Sequence, residues 1–280
     1  MQNYAFSILS EFEKQLPYYL VGVGFRYTQE LIRRPFGYPY YQWIQTVAGA
    51  GVATIGGREY EVGENRAMFL FPEDGHDYRS VDPERPWVVH WFTFGGYHID
   101  QLLHTLGFSA SGVYGVGNAE ILDARVEQGL MALRSKRSSR GLDCSALVYS
   151  TLLDIYRHAY LASDESLEHR HQRLAPVFEL VARDYDKPLS IEALSGAVGL
   201  SPQHFCVVFK QATNCRPVEY LNLYRIRKAK ELLLRESEQR IQDIAKSVGY
   251  PNVAYFTTLF RKLEGVSPSD FRRGQLSGKL

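Results

Sequence analysis

The sequence predicts an α+β protein of two domains: an N-terminal antiparallel β-barrel followed by two helices, and a C-terminal all-α domain of two helix-turn-helix units. Three observations predict it. Residues 17–94 are dense in Tyr, Val, Ile and Phe and are broken at short intervals by Gly and Pro, which is the pattern of short antiparallel strands. After Asn118 apolar residues recur every three or four positions, the period of a helix with one buried face. From residue 174 onward one pattern of apolar, glycine and aromatic positions occurs twice, the mark of an internal repeat. A length of 280 residues exceeds one usual core, and an apolar fraction of 45% can fill two.

Taken in order, strands are expected at residues 40–47, 51–55, 58–62, 67–71 and 87–94, with turns at Gly49, Gly56-Gly57, Gly63-Glu64-Asn65 and 72–75. Five short strands at this spacing suit a barrel or sandwich. The alternation in 87–94 is imperfect, as expected where both faces of a strand are partly covered. Ile121, Leu122, Val126, Leu130 and Leu133 then mark one helix, the basic, Ser-rich stretch 134–141 a loop, and 146–161 a second helix. The second carries a broad apolar face, which either packs on its own sheet or serves a homodimer contact. Leu147, Leu152, Ile155 and Tyr156 are its candidate dimerisation residues. The polar segment 163–173 reads as a linker with some helix at its end. The expected organisation is therefore a sheet domain at 1–117, a helical dimerisation segment at 118–162, the linker, and a repeat domain at 174–280.

In the first copy of the repeat Ile191, Leu194, Val198 and Gly199 lead into Phe205, Phe209, Lys210, Pro217 and Tyr220. In the second, Ile241, Ile244, Val248 and Gly249 lead into Phe256, Phe260, Arg261, Pro268 and Phe271. The offset is 50 before the turn and 51 after it, so one residue is inserted near 250–252. Each copy reads as a helix, a glycine that permits positive φ at the turn, and a second helix. Ser201 caps the second helix of the first copy with Pro202 in its first turn, and Asn252 is the expected cap in the second copy. Residues 217–235 form a connecting helix, with Tyr220, Leu221, Leu223, Tyr224, Ile226, Ala229, Leu232 and Leu233 as its apolar positions and Arg225, Arg227, Lys228, Lys230 and Arg235 outside. A rigid connector would set two second helices apart so that both enter successive major grooves of double-stranded DNA.

Charge agrees with that division. The whole chain carries +1, but residues 174–280 hold 16 Lys+Arg against 11 Asp+Glu, and the remainder holds 16 against 20. Cys144, Cys206 and Cys215 are an odd number without metal-ligand spacing, so neither disulfides nor a zinc site are expected. The absence of a run of about eighteen apolar residues and of a signal-like start gives the expectation of a soluble cytoplasmic protein that does not engage a membrane. His76 and His90 do not form the His-x-His pair of a metal cupin, and no phosphate loop or nucleophile elbow occurs. No metal, cofactor or catalytic residue is expected, and an enzyme fused to a targeting domain is the remote alternative.

Residues 174–273 resemble the DNA-binding domain of the AraC/XylS family of transcription regulators, including the ending Gly265-Val266-Ser267-Pro268-Ser269-Asp270-Phe271-Arg272. Position on the two second helices makes Gln203, His204, Cys206, Val207 and Lys210, with Asn252, Val253, Ala254, Tyr255, Thr257, Thr258 and Arg261, the candidate DNA-binding residues. Gln203 suits adenine, Cys206 or Val207 a thymine methyl, and Lys210 and Arg261 phosphate. The family often carries Ser-Arg where this chain has Thr257-Thr258, which implies that readout there leans on apolar and hydroxyl contacts.

The N-terminal stretches Arg34-Pro35-Phe36-Gly37, 47–51 and 69–72, with His76, Tyr78, Trp87, Trp91 and Phe94, are similar to the sugar-binding, cupin-like domain of that family's arabinose regulator. The resemblance implies a cupin-like barrel with Arg34, Tyr78 and Trp91 in the ligand pocket. It departs at Val89, where the relative has a pocket histidine, since His90 points to the other face. The implied partners are double-stranded DNA, a small-molecule effector of the sugar type, a second copy of the chain, and RNA polymerase. A non-sugar effector, or none, stays open at this point.

Overall fold

The computed structural model describes residues 2–82, 84–160, 167–235 and 238–277. The chain divides into two compact units, Met1–Glu168 and His169–Leu280.

In the first unit the elements follow in the order β1 (Tyr4–Phe6), α1 (Glu11–Lys14), β2 (Tyr19–Thr28), β3 (Ile32–Arg34), β4 (Tyr41–Ala48), β5 (Gly51–Ile55), β6 (Arg58–Val62) and β7 (Arg66–Leu70). Then come β8 (His76–Ser80), β9 (Val88–Gly95), α2 (Ile99–Thr105), β10 (Gly112–Val116), α3 (Ala119–Arg134), α4 (Arg140–His158) and β11 (Ala159–Tyr160). The strands do not close into the expected barrel. They form a seven-stranded sheet ordered β1-β2-β9-β4-β7-β10-β11 and a separate four-stranded sheet ordered β3-β8-β5-β6, with every pairing antiparallel. Turns hand the chain from one sheet to the other instead of prolonging one ladder. Gly49, at φ +74°, does so between β4 and β5, and a Cβ there would lie 2.7 Å from the Pro86 carbonyl oxygen.

The seven-stranded sheet is buried on both faces, and strand alternation divides its residues between two cores. Val23, Tyr41, Trp43, Phe69, Phe92 and Phe94 face the helices, in one cluster with Leu122 and Val126 of α3 and Leu147, Val148, Leu152 and Ile155 of α4. Ile44, Met68, Val89 and Trp91 face the smaller sheet, where they meet Ala53, Ile55 and Tyr78. Gly129 lets α3 lie close on the sheet, since a Cβ there would come within 2.9 Å of Val23. This packing corrects the dimer assignment for three residues. Leu147, Leu152 and Ile155 are buried against the chain's own sheet, because the sheet's outer face is apolar along its length and takes all of that helix face; Tyr156 lies half-buried at the edge.

The second unit is all helix. It runs α5 (Leu167–Asp184), α6 (Ile191–Gly196), α7 (Pro202–Thr213), α8 (Pro217–Arg235), α9 (Ile241–Ser247), α10 (Val253–Glu264) and α11 (Pro268–Ser277). Residues 163–166 of the expected linker lie outside the described residues, and from Leu167 the chain is helical. Two clusters organise the unit. Leu174, Val177, Leu194, Phe205, Phe209 and Leu221 form one, and Ile226, Leu233, Ile244, Val248, Tyr250, Phe256 and Phe260 the other. Helix α8 gives its first half to one cluster and its second half to the other, so it is the shared beam of both repeats.

Arg225 departs from its expected place on the outer face of α8. It is buried, its Nε donates to the Tyr185 carbonyl at 2.6 Å and its Nη2 to the Lys187 carbonyl at 2.8 Å. Its guanidinium also stands 5.3 Å from the centre of the Tyr250 ring. One side chain on the connector thus ties the chain ahead of the first helix-turn-helix to the turn of the second.

Candidate DNA interface and ligand cavity

The two helix-turn-helix units repeat in detail. Gly199 at φ +64° and Gly249 at φ +86° occupy equivalent turns, and the next amide closes back on the preceding helix in both, Leu200 to Ser195 and Tyr250 to Ala245. Pro251 is the inserted residue. Ser201 Oγ accepts the His204 amide at 3.4 Å and Asn252 Oδ1 accepts the Tyr255 amide at 3.0 Å. Helices α7 and α10 then run in register and end at left-handed residues, Asn214 and Gly265.

On α7 the side chains of Phe205, Val208, Phe209 and Ala212 are buried, and Gln203, His204, Val207 and Lys210 are exposed. Cys206 is half-buried and packs on the core, so it sits at the margin of that face. On α10 Phe256 and Phe260 are buried, and Ala254, Tyr255, Thr258 and Arg261 are exposed. Val253 and Thr257 are half-buried. Thr257 Oγ1 donates to the Val253 carbonyl at 2.9 Å, which commits its proton within the helix and leaves the hydroxyl able only to accept from DNA. Asn252 spends its side-chain oxygen on the cap. Sequence reasoning stopped one position short on each helix: Gln211 and Lys262, also exposed and equivalent in the two repeats, extend the same faces.

The connector is less basic than its composition suggests. Arg225 is buried, Lys228 pairs with Glu231 at 2.7 Å and Lys230 with Glu264 at 2.6 Å. Leu223 is exposed instead of buried.

In the first unit Arg34 from β3, Tyr78 from β8 and Trp91 from β9 line one cavity of about 290 Å³. The sheet register explains how such distant positions converge. Arg34 pairs with His76, two residues from Tyr78 on the same strand, and Trp91 pairs across β4 with Ile44, also on the cavity wall. The residues that sequence reasoning missed are Tyr4 and Phe6 of β1, Tyr27, Gln29, Glu30, Ile32, Tyr38, Gln42, Ile44 and Thr93. Gln42 and Thr93 carried a partial signal, being polar residues inside mainly apolar strands that also hold Gln45, Thr46 and His90. β1 and β2 carried none, because β1 is three residues long and β2 contains Gly22 and Gly24.

The cavity has an aromatic wall and a polar corner. Trp91 lies 5.4 Å from the Phe6 ring at 34° and 6.2 Å from Tyr27 at 86°. Gly24 makes room for the indole, since a Cβ at that position would fall 2.0 Å from its Nε1. At the corner Arg34 Nη1 donates to Gln42 Oε1 at 2.6 Å, Gln42 Nε2 donates to Thr93 Oγ1 at 3.2 Å, and the guanidinium stacks 4.0 Å over Tyr38. Burial pushes the Tyr78 phenol up to about 12, so it stays a neutral O–H donor. Trp87 is a core residue whose Nε1 donates to Thr46 Oγ1 at 3.0 Å.

His90 occupies the opposite face of β9. Its Nδ1 accepts the Arg26 amide at 3.0 Å and its Nε2 lies 3.6 Å from Asp123 Oδ1 on α3. Burial, with the Arg26 charge nearby, holds it well below the usual histidine range, at about 4. Among the described residues no cluster of three or more His, Cys, Asp or Glu could hold a metal ion, and no helix is long and apolar enough to cross a membrane.

Comparison with known proteins places both units. Residues 17–152 match the AraC-like ligand binding domain and residues 194–274 match a helix-turn-helix domain. The chain is similar to the MmsAB operon regulatory protein of Pseudomonas aeruginosa, at 28% identity over 79% of this chain and 70% of that one. It is similar to the HTH-type transcriptional activator RhaR of Klebsiella pneumoniae, at 23% identity over 90% of this chain and 92% of the relative. Among solved structures, the C-terminal domain of the two-component response regulator yesN of Fusobacterium nucleatum matches at 30% identity over 34% of this chain and 93% of that one, with a TM-score of 0.33. With a ligand-binding domain of the AraC type ahead of a doubled helix-turn-helix, the chain belongs to the AraC family of DNA-binding transcription regulators.

Proposed function

We propose that this regulator takes a sugar-like effector in the cavity of its first unit, acts as a homodimer in the cytoplasm, and lets the effector set which DNA sites its second units occupy. The convergence of Arg34, Tyr78 and Trp91 on one cavity carries the reading. An indole face suits the C–H face of a pyranose or furanose, and a guanidinium and a phenol suit its oxygens. In the second unit Gln203, His204 and Val207, with Ala254, Tyr255 and Thr258, meet base edges, and Lys210 and Arg261 meet phosphate. Gln211 and Lys262 extend those two sets.

A second copy is seated on the outward side of α4. Leu142, Ala146, Tyr149, Leu153 and Tyr156 recur there at intervals of four and three, and all are exposed or half-buried, which is the narrow stripe two helices share. The relative named a transcriptional activator supports contact with RNA polymerase once the protein is on DNA. Coupling requires that the effector bind the DNA-bound and free arrangements with different affinity. Calorimetric titration of the full-length protein against a sugar panel, with and without a duplex carrying its binding site, tests this. Binding abolished by Trp91→Ala and an affinity that shifts severalfold on DNA are expected. Equal affinity with and without DNA removes the coupling.

A further inference from the structure

The polar corner of the cavity is rich in hydrogen-bond donors and poor in acceptors. A guanidinium carries five N–H donors. Arg34 uses one, on Gln42 Oε1 at 2.6 Å, and has no ion pair among the described residues. That bond takes one of the two acceptor sites on the Gln42 amide oxygen, and Gln42 turns its own N–H toward Thr93 Oγ1 at 3.2 Å. The Tyr78 hydroxyl, on a side chain only 3% exposed, has no hydrogen-bond partner among the described residues. Acceptors lie elsewhere on the lining, where Gln29 donates through Nε2 to the Glu30 carbonyl at 2.9 Å, which leaves its side-chain oxygen to accept, and where Glu30 also lines the cavity.

A neutral polyol fits the acceptor side but offers the Arg34 and Tyr78 donors only hydroxyl oxygens, which are weaker acceptors than a carboxylate. A carboxylate offers acceptors only, matches the planar fork of a guanidinium, and forms the shorter, stronger class of hydrogen bond. We infer that the effector is a hydroxylated carboxylic acid of the sugar-acid class, with its carboxylate on Arg34 and Tyr78, its hydroxyls on Gln29 and Glu30, and its C–H face on Trp91. A phosphate ester is disfavoured, because its charge of about −1.5 to −2 at neutral pH would face a single guanidinium with Glu30 lining the same cavity. The inference rests on the sugar reading above.

The test is calorimetric titration of the full-length protein with matched pairs: glucose and glucuronate, galactose and galacturonate, arabinose and arabinonate, together with their phosphates and with glycerate and 3-hydroxybutyrate. At least one acid should bind about tenfold or more tightly than its neutral partner. That preference should collapse in Arg34→Gln, return in part in Arg34→Lys, and shrink with added salt, with the melting temperature of each variant unchanged. A neutral sugar that binds as tightly as its acid overturns the inference and leaves the sugar reading standing. Binding by the short hydroxy acids alone keeps the carboxylate and overturns the sugar reading. A phosphate that binds best, or no heat from any member, overturns the proposal.

Discussion

Replacing Arg225 with methionine keeps the stem of the side chain and removes its charge and donors. Two charge-assisted bonds, at 2.6 and 2.8 Å, are lost to buried carbonyls, each worth about 1.5–3 kcal/mol. Relief of the buried charge, whose guanidinium burial already holds below its usual range, offsets part of this. A net loss of about 2–4 kcal/mol follows for the helical unit. At about 4–8 °C per kcal/mol for a domain of roughly a hundred residues, its calorimetric transition should fall by about 8–32 °C. A second readout separates positioning from mere weakening. If Arg225 fixes the distance between the two helix-turn-helix units, the native protein should lose affinity sharply when one base pair is inserted between its two contacted grooves, and Arg225→Met should lose much less on that insertion below its own melting range. A transition within about 2 °C of the native one, or an unchanged dependence on spacing, would refute the reasoning.

Ile155→Ala should cost about 2–5 kcal/mol of stability in the first unit and leave self-association unchanged, whereas Leu153→Asp should weaken self-association in sedimentation velocity with little loss of stability. His90 titrates in the folded chain at about 4, below its unfolded value of about 6.5. Its contribution is therefore intact above that unfolded value and is lost as pH falls toward 4, by about 3 kcal/mol at most; denaturant melts at stepped pH should show the slope, and His90→Gln should flatten it. Gly24→Ala should push the Trp91 indole into the cavity and abolish effector binding in a thermal-shift assay while the protein stays folded. Thr258→Ala should relax base preference more than it alters the salt slope of DNA binding, and Lys210→Ala should do the reverse; a uniform loss in both would misplace the reading faces.

The repeat was legible because each copy carries its own punctuation. A turn glycine, a cap and two buried phenylalanines recur at fixed offsets, and these are local signals that tertiary context leaves intact. The cavity was legible only through the resemblance, since Arg34, Tyr78 and Trp91 share no local pattern and meet through strand register. Periodicity misled where burial came from elsewhere. The broad apolar face of helix α4 suits either its own sheet or a second copy in sequence and is covered by the sheet, and Arg225 looks like a solvated cation yet is buried, because carbonyls distant in sequence accept its hydrogen bonds. β2 escaped notice because its two glycines dilute the strand signal while making room for Phe6 and Trp91.

The two-faced sheet has an evolutionary consequence. Along β9 the odd positions Val89, Trp91 and Thr93 belong to the smaller sheet's side, and the even positions His90, Phe92 and Phe94 belong to the helices' side. Adjacent codons therefore answer to different selective demands. The cavity can drift toward a new ligand at alternate positions while the helical layer behind it is held constant, so specificity and architecture can evolve on separate clocks within a single strand.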